Sequence, residues 1–332
     1  MRVCLFILVL CCCLLASCSS IGSGFPLEET LTQELMPLQG ITNPMVVEIK
    51  SPFLIFQNSQ LHDSIFHIYD LTTYELKSVF GSEGQGPGEF ISPSLFRTQL
   101  SGFLIGDFGK NEVVRFDIDR NGQPVFKESK KLGYDNALYD AAFINDSFYI
   151  ADPKYMLIPS LYLLAWKDSL PRKTWTYRNP DIPDYSLDPD KGNVYANESR
   201  IVFCYSYKKQ IDFMDTNFNL IKRVKFDYDV PTYITGDNYD DISETYTYGY
   251  LGKRYLYVVF FGTSWKEYRA NGTSGNILEV FDLDGNPVAR YHLEGKGPVH
   301  FAVDEKTFIL YGVADDGDTE DYLLMYKLKG LS

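Results

Sequence analysis

A run of alternating apolar residues, often closed by an aspartate, recurs six times along the 332-residue chain. The copies start at Phe66 (FHIYD), Val114 (VRFDID), Leu161 (LYLLAW), Ile211 (IDFMD), Leu278 (LEVFD) and Leu323 (LLMYK), so successive starts lie 48, 47, 50, 67 and 45 residues apart. A period near 50 constrains the fold more than any local signal, because equivalent modules must stack or close on one another to bury their shared apolar faces. Around each run lie further short stretches rich in Val, Ile, Phe and Tyr, separated by Gly, Asn, Asp and Pro, while helical periodicity is nearly absent beyond residue 40. Four short strands per module is the content of a propeller blade. The expected fold class is all-β, a six-bladed β-propeller of four-stranded antiparallel blades.

Counting strands a to d from the axis outward, the first copy is filled by residues 46–50, 53–57, 65–70 and 75–80, and the second by 95–99, 103–107, 113–117 and 125–130. The sixth copy offers only three, over 299–303, 307–311 and 322–327. Residues 31–38 are otherwise unassigned and would supply the missing outer strand, so that an N-terminal strand closes the ring and removes an exposed edge. The alternative for that segment is a short helix with Leu27, Leu31 and Leu35 on one face. Asn121-Gly122 and Asp284-Gly285 mark tight c-to-d hairpins, since both pairs accept the positive φ that narrow hairpins need. Asp117, Asp119, Asn121, Gly122 and Glu128 fit a calcium-loop spacing, but strands flank the string and Pro124 lies inside it, where an EF-hand needs helices. A structural turn is expected there, and no motif in the chain asks for a metal or a cofactor.

Five of the six cysteines, Cys4, Cys11, Cys12, Cys13 and Cys18, fall within the first eighteen residues. Arg2 followed by fourteen apolar residues, 3–16, has the layout of a secretory signal and is too short to span a bilayer as a helix. The run ends Leu15-Ala16-Ser17-Cys18, which resembles the lipobox of bacterial lipoproteins, where the chain is cut before the cysteine and the thiol takes lipid. That resemblance implies a signal peptide over 1–17, a lipidated linker over 18–26 with lipid on Cys18, and a propeller domain over 27–332; ordinary signal cleavage is the alternative. Two or three acyl chains hold a protein on a membrane without crossing it. Ser19 and Ser20, with no acidic residue after the cysteine, imply by the same likeness an outer-membrane anchor in the bacterial cell envelope, facing the periplasm. The mature chain would keep one thiol, Cys204, in the strand-like IVFCY, and so no internal disulfide.

Gly84 to Phe90 reads GQGPGEF and Gly295 to Phe301 reads GKGPVHF, the same G-x-G-P-x-x-F string 211 residues apart, close to four blades. Glycine permits a tight reversal and proline stiffens it, which suits a crossing from one blade's outer strand to the next blade's inner one. The string resembles the junction of NHL-type repeats, and Leu104-Ile105-Gly106-Asp107 followed by Val113 to Asp117 resembles the body of such a repeat. With the lipobox and the six copies, the chain resembles TolB-like six-bladed propeller lipoproteins of bacteria. The resemblance implies an envelope protein and carries no particular reaction with it.

An acidic balance, 31 Lys+Arg against 44 Asp+Glu for a net charge of −13, lacks the basic footprint of nucleic-acid binding. Three long connections, 178–193 and 229–244 between strands d and a and 262–276 between strands b and c, leave the same face of a propeller. They carry Tyr185, Tyr233, Tyr239, Asp240, Trp265 and Tyr268, where amphipathic rings beside carboxylates offer stacking area and acceptors to a protein, peptide or glycan. Solvated loops with locally packed tyrosines are the plainer reading. No nucleophile elbow, zinc-binding histidine pair or paired cysteine is present, so catalysis is not expected. The alternative is a hydrolase or lyase acting on a carbohydrate or lactone at the channel mouth. There His300 and the strand-b aspartates Asp107, Asp152 and Asp315 are the candidates, although a repeated turn-forming Asp explains the latter without chemistry.

Overall fold

The structure is a computed structural model that describes residues 24–38, 40, 44–58, 63–133, 141–152, 160–177, 190–228, 239–271, 275–295, 297–313 and 322–332. Cys18, Tyr185, Tyr233 and Asp315 lie outside the described residues. Two N-terminal strands, β1 (Leu27–Leu31) and β2 (Glu34–Pro37), precede the blades. Blade I is β3 (Pro44–Lys50), β4 (Phe53–Asn58), β5 (Phe66–Asp70) and β6 (Leu76–Phe80), and a short parallel pair, β7 (Ser82–Glu83) and β8 (Glu89–Phe90), leads on from it. Blade II is β9 (Pro93–Phe96), β10 (Phe103–Asp107), β11 (Glu112–Ile118) and β12 (Pro124–Lys131). Blade III is β13 (Ala141–Phe143), β14 (Phe148–Ala151), β15 (Ser160–Ala165) and β16 (Lys173–Thr176). Blade IV is β17 (Gly192–Ala196), β18 (Ile201–Tyr205), β19 (Gln210–Met214) and β20 (Leu220–Lys225). Blade V is β21 (Ser243–Leu251), β22 (Tyr255–Ser264), β23 (Ile277–Asp282) and β24 (Pro287–Leu293), and blade VI begins with β25 (His300–Asp304), β26 (Ile309–Val313) and β27 (Tyr322–Lys327).

Closure comes from the N-terminus, as expected: β2 pairs antiparallel with β27 as the fourth strand of blade VI, with Leu35 opposite Leu324. The helical alternative for this segment falls. An unforeseen second contribution is β1, which lies parallel to β24 and makes blade V five-stranded. Phe25, assigned by sequence to the linker, is buried between blades IV and V, 5.9 Å from the Phe226 ring and 5.4 Å from Phe281. The folded part therefore starts before residue 27.

Hydrophobic cores lie between blades, which explains why the middle strands read as unbroken apolar runs. In β18, Ile201, Phe203 and Tyr205 pack toward blade III, while Val202 and Cys204 pack toward blade V. A strand covered on both faces needs no polar alternation, so every residue of β18 is buried. Four c-to-d pairings carry a register shift near the hairpin, at Ile68/Tyr69, Arg115/Phe116, Phe213/Met214 and Val280/Phe281. Such bulges add local twist, and their recurrence marks the modules as equivalent. The aspartate closing the repeated run has a local task. Asp70, Asp215 and Asp282 accept backbone N–H groups of their own hairpins, for example Asp282 Oδ1 from Asn286 at 2.8 Å.

Both glycine-rich junctions turn with positive φ, at Gly81, Gly84, Gly88 and Gly295, but they seat their phenylalanines differently. Phe301 is the second residue of inner strand β25, whereas Phe90 ends β8, three residues before β9 begins. The calcium-like string is a hairpin: Asp119 accepts from Asn121 and Gln123, and Asp117 pairs with Lys127 at 3.0 Å. No helix among the described residues is long and apolar enough to cross a membrane.

Candidate functional site

Strands β3, β9, β13, β17, β21 and β25 surround the axis. The d-to-a and b-to-c connections leave one end of this ring, the loop face, and the a-to-b and c-to-d hairpins leave the other, the hairpin face. Sequence reading extends the inner strand of blade II to residue 99, but β9 stops at Phe96 and the next residues reach across the ring. Arg97 Nη1 donates to Gly249 O at 2.7 Å and to Phe301 O at 3.4 Å, joining blade II to blades V and VI. Gln99 Nε2 donates to Tyr250 Oη at 3.0 Å and Leu251 O at 3.2 Å. Blades II and V stand opposite each other in a ring of six, so these side chains bar the channel.

On the loop-face side of the bars lies an axial cavity of about 190 Å³ lined by Arg97, Asn193, Tyr195 and His300 among others. His300 is thus part of the channel wall, with its ring 5.8 Å from that of Tyr248. Burial, with a smaller contribution from the Arg97 charge, holds its pKa down to about 4, so the imidazole is neutral at ordinary pH. No carboxylate lines this cavity among the described residues. Of the strand-b aspartates that are described, neither Asp107 nor Asp152 lines it. Asp107 is fully buried and accepts N–H groups from Ile91 and Ser92 at 3.0 and 3.1 Å and from Gly109 and Lys110 at 3.0 and 3.3 Å. Asp152, also buried, accepts from the Tyr177 hydroxyl at 3.3 Å. The Gly109 and Lys110 bonds of Asp107 are those of a turn-forming group, whereas its bonds to Ile91 and Ser92 and the Asp152–Tyr177 bond tie separate segments together.

At the rim, two of the three long connections meet on blade V. A 3₁₀ turn, Tyr239–Asp241, precedes β21, and a helix α1, Trp265–Asn271, follows β22 where sequence reading has only a loop. The helix start is legible in hindsight as Ser264-Trp265-Lys266-Glu267: the buried Ser264 hydroxyl accepts the Glu267 N–H at 3.2 Å, and Glu267 turns back to Thr263 at 2.6 Å. Trp265 Nε1 donates to Glu244 at 2.9 Å, and its ring lies 5.0 Å from Phe261 and 5.7 Å from Tyr268. Burial raises the Glu244 pKa, opposed by the Trp265 hydrogen bond. Asp240, expected to face a ligand, pairs with Arg269 at 2.6 Å, and Asp241 pairs with Lys266 at 2.7 Å. Both pairs are solvent-exposed and serve mainly to orient the turn against the helix.

Sequence reasoning missed Arg97, Gln99, Glu244 and Phe261. For the first two a signal existed: Arg97-Thr98-Gln99 puts polar residues at the end of an inner strand, next to the axis, where apolar ones are usual. Glu244 and Phe261 give no such signal, because their importance comes from Trp265 lying against them.

An all-β ring of six blades, closed by its N-terminus and barred at its axis, defines a six-bladed β-propeller. The family described as TolB-like 6-blade propeller-like matches residues 26–306, and the chain belongs to that family. Among solved structures, a protein of Bacteroides fragilis NCTC 9343 described as exported superposes with a TM-score of 0.55 at 11% identity, covering 90% of this chain and 98% of that one. A member of the DUF4221 family from Bacteroides vulgatus ATCC 8482 gives 0.54 at 13% identity, with 89% and 95% covered. At these identities the likeness is one of fold. No curated protein matches the chain by sequence.

Proposed function

We propose that the chain is a lipid-anchored propeller of the bacterial cell envelope that acts as a non-catalytic binding module, taking a protein, peptide or glycan on its loop face. The observation that carries this reading is the aromatic platform on blade V, where Trp265 is held by the buried Glu244 and flanked by Phe261 and Tyr268. A ring already oriented by its neighbours loses little freedom on binding, so its area is available for affinity. The axial cavity offers a neutral histidine and no carboxylate pair among the described residues, which favours recognition over acid–base chemistry. The envelope location rests on the lipobox-like Leu15 to Cys18 and is in keeping with the description of the Bacteroides fragilis protein as exported.

Crosslinked pull-down from the envelope tests the loop face. Trp265→Ala and Tyr239→Ala are expected to lose the partners that the wild-type chain captures. Recovery of an unchanged set by both variants overturns the proposal.

A further inference from the structure

The hairpin face holds a second cavity, of about 480 Å³, at the opposite mouth of the channel. Its volume falls within the range of small-molecule sites, about 300–1,000 Å³. Gln99 and Tyr250, one of the cross-ring pairs, line it and close it toward the axis, so it is distinct from the loop-face site. Pro52, Phe53, Leu100 and Ile118 supply apolar wall, and Lys50, Lys253, Lys306, Asp117, Asp304 and Glu305 supply charge.

What these charges do decides what the cavity can take. Glu305 is consumed by the neighbouring hairpin, accepting the N–H groups of Lys253, Arg254 and Tyr255 at 2.9, 3.1 and 3.2 Å and the Tyr257 hydroxyl at 3.3 Å. Asp304 accepts from the Lys306 N–H at 3.1 Å and the Thr307 hydroxyl at 2.7 Å. Asp117 has Lys127 at 3.0 Å. Lys50 bonds Glu48 at 2.8 Å and the carbonyls of Thr98 and Leu100. Each carboxylate on the wall thus has a partner within the protein, Asp117 through a solvent-exposed pair. Two ammonium groups are less engaged: Lys306 has only the Ser51 hydroxyl, at a long 3.4 Å, and Lys253 has no acceptor for its ammonium among the described residues. Both side chains are exposed, so the fold does not depend on them.

The lining holds as many carboxylates as ammonium groups, but the carboxylates already accept bonds from the protein while the Lys253 and Lys306 ammonium donors are unoccupied or nearly so, which suits a ligand rich in acceptors. The geometry points to a binding site for a small oxyanion-bearing molecule, a sugar acid or sugar phosphate, at the hairpin-face mouth. The oxyanion is held by Lys253 and Lys306, and the C–H face of the body lies on Pro52 and Ile118. The site is independent of the loop-face platform, and its test leaves that platform intact.

Isothermal titration of the whole folded chain at low ionic strength, with glucuronate, glucose 6-phosphate and glucose as probes, tests the site. Saturable binding of one or both anionic probes is expected, with glucose not bound; which anion binds distinguishes a carboxylate site from a phosphate site. The double variant Lys253→Gln/Lys306→Gln should weaken that binding roughly tenfold or more, because charge-assisted hydrogen bonds are lost. Lys225→Gln, an exposed lysine on outer strand β20, removes a charge elsewhere and should leave affinity unchanged. Failure of both anions to bind, equal binding of glucose, unchanged affinity in the double variant, or an equal loss in the Lys225 control would each overturn the assignment.

Discussion

His300 shows how one side chain's surroundings set its chemistry. Its pKa is held near 4 in the folded ring against 6.5 for a free imidazole, first by burial and then by the Arg97 guanidinium that crosses the channel. Between those values the unfolded chain takes up a proton that the folded one refuses, so the histidine's contribution to stability is complete above about pH 6.5 and is lost as pH falls toward 4. The difference amounts to roughly 3 kcal/mol at most. Urea unfolding at about pH 4.5 and pH 7 should show a steeper acid loss for the wild type than for His300→Gln; equal slopes would count against a buried neutral imidazole. The sequence places His300 near the axis through its junction motif, but its electrostatics depend on Arg97, two hundred residues earlier in the chain. The aspartates show the converse. Asp70, Asp215 and Asp282 can be read as turn formers from the repeat alone, because their bonds are to residues two to four positions away.

Strands were legible where their cause was local. Alternation and hairpin glycines locate the strands of blades I and II to within a few residues, and the buried b and c strands stand out as apolar runs. β1 was not legible, since its five residues, LEETL, hold only two leucines and pair in parallel with a strand some 260 positions later. Its attachment rests on Phe25, which packs against Phe226 and Phe281 and takes the Arg290 guanidinium over its ring at 4.6 Å. Glu28 adds an exposed contact to His292 at 3.0 Å. Phe25→Ala is expected to cost about 3 kcal/mol, the lower end for a buried phenylalanine, with Phe25→Leu retaining most of the stability. Chemical denaturation measures both, and an alanine variant as stable as the wild type would mean that the strand adds nothing to the ring. Helix α1 was missed for a different reason: seven residues are too few to display a periodicity.

For the whole molecule the repeat period was sufficient. Six copies near 50 residues have few ways to hide their edges, and pairing the chain's two ends is one that needs no extra element. Arg97 and Gln99 make the ring more than a set of neighbours, because they tie blade II to blade V across the axis. Where the molecule resides is a separate matter, which the proposed lipid anchor assigns to the first eighteen residues. Cys18→Ala is expected to abolish incorporation of labelled fatty acid and to release the chain from the membrane fraction; persistent labelling would exclude this thiol as the attachment point.

The place where β1 enters bears on how such a molecule would sit. Leu27 lies opposite Ala289, two residues into β24 and just past the 283–286 turn, so the chain arrives at the outer edge of blade V on the hairpin side. Phe25 follows Cys18 by seven positions, a reach of at most about 25 Å fully extended. With lipid on Cys18, that leash is shorter than a small domain is wide. The hairpin side would be kept close to the bilayer and the Trp265 platform turned toward the open compartment, so that macromolecules and small anions would reach the ring from opposite directions.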